Sequence, residues 1–172
     1  IGFKVGSATL REGTDPGYTV ELIANVPPQA AVTVNYSVGG TATAGDTNLP
    51  ASGSVTINPA DLADPNVASF DFTVTNDAVH EPTRSIVLTI TGLATGDVST
   101  RIALVANGDN PVLTITLLDD DPGPDHYELW LPSSAVSCED VPLRVVACLD
   151  ASSPCTNADT GMAGRTVQLA TS

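Results

Sequence analysis

Positive charge is scarce in this sequence. Its 172 residues include 6 lysines and arginines against 20 aspartates and glutamates, for a formal net charge of -14. A surface that binds nucleic acid needs clustered Lys and Arg to neutralise phosphates, and here Lys4 is the sole lysine among scattered arginines. The same shortage argues against an anionic membrane surface. We therefore expect neither a nucleic acid nor a membrane as the partner.

Aromatic residues and long apolar runs are also rare. Aromatic side chains make up 4% of the chain, so the core has to be built from Val, Ile, Leu and Ala. No run approaches the roughly 18 apolar residues of a membrane-spanning helix. The chain opens at Ile1 and its one methionine is Met162. We therefore expect a piece of a longer chain, or a processed product, whose neighbouring domains are the expected partners.

The composition favours an all-β fold. Valine and threonine suit pleated strands, and 14 glycines and 13 prolines supply turns. The one helical candidate is a single turn over 59–63, with Pro59 at its first position. Short alternating segments recur instead, and the predicted strands are Phe3–Leu10, Tyr18–Asn25, Ala31–Val38, Ser54–Asn58, Val67–Thr75, Ser85–Thr91 and Val112–Leu118. Seven short strands separated by turns predict an antiparallel β-sandwich. Arg101–Ala106 is a candidate extra strand in the otherwise irregular stretch Gly92–Asn110.

An acidic run marks the predicted domain boundary. Residues 119–125 read Asp-Asp-Asp-Pro-Gly-Pro-Asp, in which Pro and Gly end a strand and the charges favour solvent. We predict a sandwich over 1–122, a linker over 123–126 and a truncated second β domain over 127–172. The expected strands of the second domain are Glu128–Leu131, Leu143–Ala147 and Thr166–Ala170.

Acidic side chains fall at the predicted ends of several strands. They are Glu12, Asp46, Asp77, Glu81 and the triplet Asp119, Asp120 and Asp121. Loops at one end of a Greek-key sandwich cluster in space, so these carboxylates can converge and raise each other's pKa values. A Ca2+ ion, which takes about 6–8 oxygen ligands, removes that repulsion. A solvated linker with unrelated loop acids is the alternative.

Four segments carry a resemblance to a known family. They are Leu10–Gly13, Val34–Asp46, Phe72–Glu81 and Leu113–Asp121, in this order and spacing. On these segments, residues 1 to about 121 resemble a Calx-β domain, the calcium-binding module of sodium–calcium exchangers that also occurs in bacterial surface proteins. The resemblance implies a seven-stranded antiparallel, immunoglobulin-like sandwich with calcium at one tip.

The same resemblance implies a set of calcium ligands. The seven acidic residues named above match ligand positions of the family, and Val79 matches a position that contributes its backbone carbonyl. Asn76 stands where calcium-rich members have an acid, and Arg84 stands where they have a glutamate. An arginine can place its guanidinium among the carboxylates and substitute for one ion. With these departures, the resemblance implies a reduced site of one or two Ca2+ ions, or none.

The C-terminal part carries a second, shorter resemblance. Asp125–Leu129, Val136–Cys138, Val145–Cys148 and Ser153–Thr156 are similar to a segment of MshQ-like bacterial proteins, which are associated with biogenesis of the mannose-sensitive haemagglutinin pilus. This resemblance implies a cell-surface or pilus-associated protein in the extracellular space or the cell envelope of a bacterium.

All three cysteines, Cys138, Cys148 and Cys155, lie in the C-terminal part. In an oxidising compartment one pair can form and one cysteine remains. Cys148 and Cys155 flank a short Ser-Ser-Pro turn and are the favoured pair, while Cys138 with Cys148 is the rival. Three reduced thiols are the remaining alternative, which a secreted protein makes less favourable.

No catalytic motif stands out, and no enzyme is expected. The sequence has no Gly-x-Ser-x-Gly elbow and no phosphate-cradling Gly-rich loop. Zinc is not expected either, because His80 and His126 have no companion at ligand spacing and the cysteines form no CxxC pair. We predict a non-enzymatic calcium-binding structural or adhesion module. The alternatives are a metal-independent spacer, in which Arg84 replaces a calcium ion, and a carbohydrate-binding module.

Overall fold

The computed structural model describes residues 1–59, 66–95, 110–131 and 143–159. These residues form strands and no helix, so none of them belongs to a helix that could cross a membrane. Apart from Pro59, the expected helical turn over 59–63 lies outside the described residues. So do the candidate strands Arg101–Ala106 and Thr166–Ala170.

The chain divides into two compact units. The first comprises Ile1–Asp77 and Pro82–Asp120, and the second comprises Ala78–Glu81 and Asp121–Ser172. The first unit therefore lacks the short segment Ala78–Glu81, which a continuous domain over 1–122 would include. The finer division into a sandwich, a linker and a truncated second domain remains a prediction.

The first unit contains two β-sheets. Its strands are β1 (Gly2–Phe3), β2 (Ser7–Arg11), β3 (Gly17–Ile23), β4 (Val32–Gly40), β5 (Ser52–Ile57), β6 (Val67–Thr73), β7 (Arg84–Thr95) and β8 (Val112–Leu118). One sheet has the order β1-β3-β6, and the other has the order β2-β8-β7-β4-β5. Each strand predicted for this part of the chain overlaps one of these elements.

Both sheets contribute their apolar faces to one core. Leu22 in β3, Leu88 in β7 and Ile115 in β8 have no exposed surface, and they belong to a single hydrophobic cluster. All three lie in segments predicted as strands, in which successive side chains point to opposite faces. The cluster is mainly aliphatic, and one aromatic contact in it stacks Tyr36 on Phe70 with ring centroids 4.6 Å apart.

The first predicted strand, Phe3–Leu10, is divided between the two sheets. Its beginning, β1, pairs antiparallel with β3, whereas β2 pairs in parallel with β8 and sets Leu10 opposite Leu117. The expectation of a purely antiparallel sandwich is therefore wrong at this pair. A parallel pair needs no hairpin turn between its strands, so no local turn signal in the sequence reveals it.

Strand β7 continues further than the sequence analysis predicted. The predicted strand ends at Thr91, but β7 runs to Thr95. A β-bulge between Asn35 and Tyr36 shifts the register of β4 against β7, so that Asn35 pairs with Gly92 and Tyr36 pairs with Ile90. Because a bulge leaves one residue unmatched, the strand can extend through a stretch whose alternation is broken.

The described part of the second unit holds a two-stranded antiparallel sheet. Strand β9 (His126–Trp130) pairs with β10 (Arg144–Cys148). A disulfide joins Cys148 to Cys155, with their Cα atoms 5.7 Å apart, and this is the pair that the sequence favoured. Cys138 lies outside the described residues.

Candidate metal centre

Glu12 opens the loop that follows β2. Its backbone N–H donates to the Leu118 carbonyl at 2.9 Å, which ties this loop to the end of β8, immediately before the acidic triplet. The residue is 4% exposed. Because a carboxylate is costly to bury without compensating charge or hydrogen bonds, a buried glutamate in a surface loop marks a polar site.

A tight turn after Glu12 brings the acidic triplet close. Gly13 has a φ of 65°, in the left-handed region that glycine adopts without strain. A Cβ atom at this position would overlap the Asp120 carboxylate and lie 3.3 Å from Asn76 Oδ1. The missing side chain of Gly13 therefore makes room for the Asp120 and Asn76 side chains.

Asp46 lies in the loop between β4 and β5 and is 5% exposed. Its carboxylate accepts a hydrogen bond from the Thr43 N–H and another from the Thr43 hydroxyl at 2.8 Å. Its backbone carbonyl accepts from the Thr75 N–H at 2.8 Å. Asp46 therefore joins its own loop to the segment that follows β6.

Arg84, the first residue of β7, supplies positive charge to Asp46. Its Nη1 lies 2.5 Å from Asp46 Oδ2 and 3.3 Å from the Thr43 hydroxyl, and the Arg84 side chain is 18% exposed. Burial would raise the pKa of the Asp46 carboxyl. Hydrogen bonds from the Thr43 N–H, the Arg84 guanidinium and the Thr43 hydroxyl, with the charge of Arg84, hold that pKa below its ordinary value. Asp46 is therefore ionised at neutral pH.

Three of the predicted ligands share one end of the first unit. Carboxylate oxygens of Glu12 and Asp46 lie within 4.8 Å of each other, and Asp120 lies beside the turn that follows Glu12. Three different loops of the sandwich contribute these residues, as expected for the ends of Greek-key strands.

The remaining predicted ligands are placed differently. Asp77 is exposed, and Asp119 accepts a hydrogen bond at its backbone carbonyl from the Arg11 guanidinium at 3.0 Å. Val79, Glu81 and Asp121 belong to the second compact unit.

The chemistry of the donor set fits Ca2+. Glu12, Asp46 and Asp120 offer carboxylate oxygens, which are hard ligands, and loops that can adjust to a flexible coordination geometry carry them. Arg84 already compensates the charge of Asp46, so less negative charge is available here than in a site without that arginine. The residues of the first unit therefore fit a reduced site better than one that holds several ions.

Two residues that build this site were not singled out from the sequence. Thr43 makes three hydrogen bonds with Asp46 and Arg84 through its N–H and its hydroxyl, and Gly13 makes room for Asp120. The spacing Thr-x-x-Asp is a local signal for Thr43, because such side chains commonly bond to backbone groups a few residues away. Gly13 follows a strand end, where a left-handed glycine is common.

The comparisons with known proteins concern the fold. No protein-family profile and no curated protein match this chain. Among solved structures, CBD12 from CALX1.2 aligns with a TM-score of 0.54 and 21% identity over 69% of this chain and 44% of that one. The apo-form Calx CBD1 domain aligns with a TM-score of 0.54 and 22% identity over 70% of this chain and 96% of that one. The Calx CBD2 domain gives a TM-score of 0.54, 12% identity, and 69% and 85% coverage.

These likenesses define what the chain shares with Calx. It spans less than half of the CBD12 structures, 44% of that from CALX1.2 and 49% of the calcium binding domain CBD12 of CALX1.1. The similarity to MshQ-like proteins stays a prediction. Because the identities to the Calx structures are low, the likeness establishes fold alone, and most of this chain has the all-β fold of the Calx-β domains.

Proposed function

We propose that residues 1–122 form a calcium-binding module. The observation that supports this most directly is the approach of two buried carboxylates, Glu12 at 4% and Asp46 at 5% exposure, to within 4.8 Å. Like charges this close in a poorly solvated place repel each other, and a divalent cation between them reverses the sign of the interaction. One of the solved structures with this fold is described as a calcium binding domain.

The proposed site holds one Ca2+ ion at the sandwich tip. Its proposed ligands within the first unit are carboxylates of Glu12, Asp46, Asp77, Asp119 and Asp120. The ligand roles that the resemblance implies for Glu81, Asp121 and the Val79 carbonyl remain predictions. The number of ions is set by Arg84, because its guanidinium occupies one side of Asp46 and supplies positive charge that a second ion would otherwise provide.

The biological setting is part of the proposal. The triplet Asp119–Asp121 is both ligand set and start of the linker, so a bound ion would stiffen the junction to the following domain. We place the module in an extracellular or envelope protein of a bacterium with a structural or adhesive role. The Cys148–Cys155 disulfide supports an oxidising compartment.

We also propose that the first unit is a seven-stranded, immunoglobulin-like sandwich, in which β1 and β2 count as two halves of one strand.

Thermal unfolding of the full chain tests the proposal. The chain is heated in EDTA, in millimolar CaCl2 and in MgCl2 at matched ionic strength. Free Ca2+ at about 100 times its Kd should stabilise the folded state by about 2.7 kcal/mol. For a chain of this length, the Tm should rise by about 5–10 °C. Mg2+ should give a much smaller shift, because it requires tighter octahedral geometry.

A pair of matched variants locates the site. Asp120→Asn removes one proposed ligand at constant shape, and Asp71→Asn removes the same charge from β6, where Asp71 accepts from Thr19 at 2.6 Å. The calcium-dependent shift in Tm should fall strongly in Asp120→Asn and persist in Asp71→Asn. An equal shift in both variants would mean that the triplet is not the site.

A metal-independent spacer is the second candidate, and the Arg84–Asp46 ion pair favours it. In this case the guanidinium replaces the ion, and neither chelator nor Ca2+ changes the Tm of the wild-type chain. Arg84→Glu should then create a calcium dependence that the wild type lacks. The two candidates therefore separate on the wild-type chain, before any variant is made.

A further inference from the structure

Strands β9 and β10 bring three metal-ligating residue types together in the second unit. His126 pairs directly with Cys148 across the ladder, and Glu128 lies two residues beyond His126 on the same face. One ligand atom from each of the three residues lies within 4.8 Å of the others. The sequence does not reveal this cluster, because the pairing of β9 with β10 brings its residues together and no local motif contains them.

The polar atoms of His126 and Glu128 face each other, although the two side chains are 30% and 13% exposed. His126 Nε2 and Glu128 Oε1 are 3.6 Å apart, which is longer than a hydrogen bond. Each of the two atoms is shielded from solvent, and neither has a hydrogen bond within the described residues. Two converging atoms that are both shielded and unbonded are suited to share a cation.

Neighbouring groups already orient both side chains for that task. Asp125 Oδ2 lies 3.1 Å from His126 Nδ1, and the Trp130 indole N–H donates to Glu128 Oε2 at 3.0 Å. A carboxylate that accepts a hydrogen bond from one histidine nitrogen fixes the plane of the ring, as in metal-binding histidines. Asp125 and Glu128 raise the pKa of His126, so a metal ion at Nε2 has to displace a proton when the imidazole is charged. Nε2 and Oε1 converge on one another and are the atoms of these two side chains that could bind a metal ion.

The third member of the cluster is in its oxidised form. Cys148 is fully buried and bonded to Cys155. The Cys155 N–H also donates to the Glu128 carboxylate, so the second cysteine lies close to the same group. A disulfide sulfur is a poor ligand, whereas a thiolate binds soft and borderline metal ions well.

We propose that reduction of the Cys148–Cys155 disulfide converts this cluster into a binding site for Zn2+ or a similar transition-metal ion. The four donors are His126 Nε2, Glu128 Oε1 and the two cysteine sulfurs. One nitrogen, one oxygen and two sulfurs match the tetrahedral preference of zinc. The site lies in the second unit and does not depend on the proposed calcium site.

The conversion balances with a dithiol as the reductant. The dithiol gives two electrons and two protons to the S–S bond and becomes a disulfide, while Cys148 and Cys155 become thiols. Zn2+ then binds both sulfurs and displaces the two thiol protons to solvent. In the oxidised form a disulfide joins the two cysteines. In the reduced form a metal ion bound to both thiolates joins them instead.

Cobalt is the probe, since Co2+ replaces Zn2+ in such sites and absorbs light when thiolates bind it. The protein is the full chain with Cys138→Ser, which removes the competing thiol. It is titrated with Co2+ before and after treatment with a phosphine reductant. We expect one equivalent of Co2+ to give thiolate-to-cobalt absorption after reduction, with a parallel change in the fluorescence of Trp130, the one tryptophan of the chain.

Isosteric variants assign the ligands. In the reduced chain, His126→Gln and Glu128→Gln should each weaken Co2+ binding by at least the roughly 10–100-fold that loss of an outer partner costs. His80→Gln, at the other histidine, should leave binding unchanged. Circular dichroism of each oxidised variant first establishes that its fold is retained. Zn2+ should also slow reoxidation of the reduced chain, because both sulfurs are bound.

Three results would overturn the proposal. They are no thiolate-to-cobalt absorption after reduction, equal absorption in the oxidised chain, and binding by the reduced chain that is as tight in His126→Gln and Glu128→Gln as in the parent. The last result would mean that the thiols bind cobalt without help from the β9–β10 ladder.

Discussion

The Asp46 carboxylate shows how hydrogen bonds and one neighbouring positive charge offset the cost of burying a negative charge. Asp46 is 5% exposed, and its hydrogen bonds come from Thr43 and Arg84. Transfer of a carboxylate into such a place costs several kcal/mol, which the guanidinium and the hydrogen bonds have to offset. Removal of Arg84 would leave an uncompensated charge, unless another cation takes its place.

Arg84→Gln should therefore destabilise the chain when no divalent cation is present. The expected loss is about 3–5 kcal/mol in EDTA, as for other buried pairs that lose one partner. Urea unfolding measures it. The double variant Asp46→Asn/Arg84→Gln should recover most of that loss, because it also removes the negative charge of Asp46 that Arg84 no longer compensates.

Calcium should act more strongly on Arg84→Gln than on the wild type. With the guanidinium gone, an ion at the site compensates both Asp46 and Glu12, and the calcium-dependent rise in Tm should grow. If calcium leaves the Tm of this variant unchanged, the carboxylates do not form a cation site, even after their internal counter-charge has been removed.

Gly13 provides a second prediction about a single residue. Gly13→Ala should destabilise the chain by about 1–2 kcal/mol, because alanine is strained at a φ of 65°. Its methyl group would also displace the Asp120 carboxylate, so calcium affinity should fall. Gly92→Ala is the matched control, since a Cβ atom at Gly92 meets nothing within 4 Å. Comparable losses of stability in both variants would argue against a special role for the Gly13 turn.

The sequence revealed these residues unequally. Glu12, Asp46 and Asp120 follow predicted strand ends, so their convergence could be expected from sandwich topology. The Calx-β resemblance places position 84 among the ligands, where the family has a glutamate, so a contact of Arg84 with carboxylates was expected, although Asp46 was not named as its partner. Thr43 was not singled out, although the Thr-x-x-Asp spacing is a local signal, because the contact with Arg84 also depends on how the loop meets β7.

At the scale of strands, alternation predicted the positions of the strands well, and it did not predict which distant strands pair. Leu22, Leu88 and Ile115 lie in segments predicted as strands and are fully buried. The parallel pair of β2 with β8 and the extension of β7 to Thr95 were not predicted. Both depend on partner strands far along the chain. Alternation shows which residues of one strand share a face, and does not show which strand pairs with it.

Strand β7 is central to the larger sheet, and a cavity in it should be costly. Leu88 has no exposed surface, and β7 pairs with both β4 and β8. We expect Leu88→Ala to reduce the free energy of unfolding by about 2–5 kcal/mol. Thr114→Ala, at an exposed position of β8, should cost less than about 1 kcal/mol. Urea unfolding distinguishes them, and a small effect of Leu88→Ala would contradict the shared core.

At the scale of the whole molecule, a net charge of -14 makes two electrostatic effects easy to confuse. Any salt screens the repulsion among the acidic side chains and stabilises the compact state. A bound calcium ion also stabilises it, but through a small number of specific contacts. The two effects differ in how they depend on ionic strength and on single residues.

Sodium chloride should raise the Tm of the wild type and of Asp120→Asn by the same amount. An increase from about 0.01 M to about 0.15 M shortens the Debye length from about 30 Å to about 8 Å, and this screening responds to the charge of the whole chain. Calcium added in about 0.15 M NaCl should still raise the Tm of the wild type, because ions in direct contact are screened little. It should leave Asp120→Asn nearly unchanged. If the calcium effect vanishes at the higher salt concentration, it is screening of the acidic surface, and the carboxylates at the tip do not act together as a site.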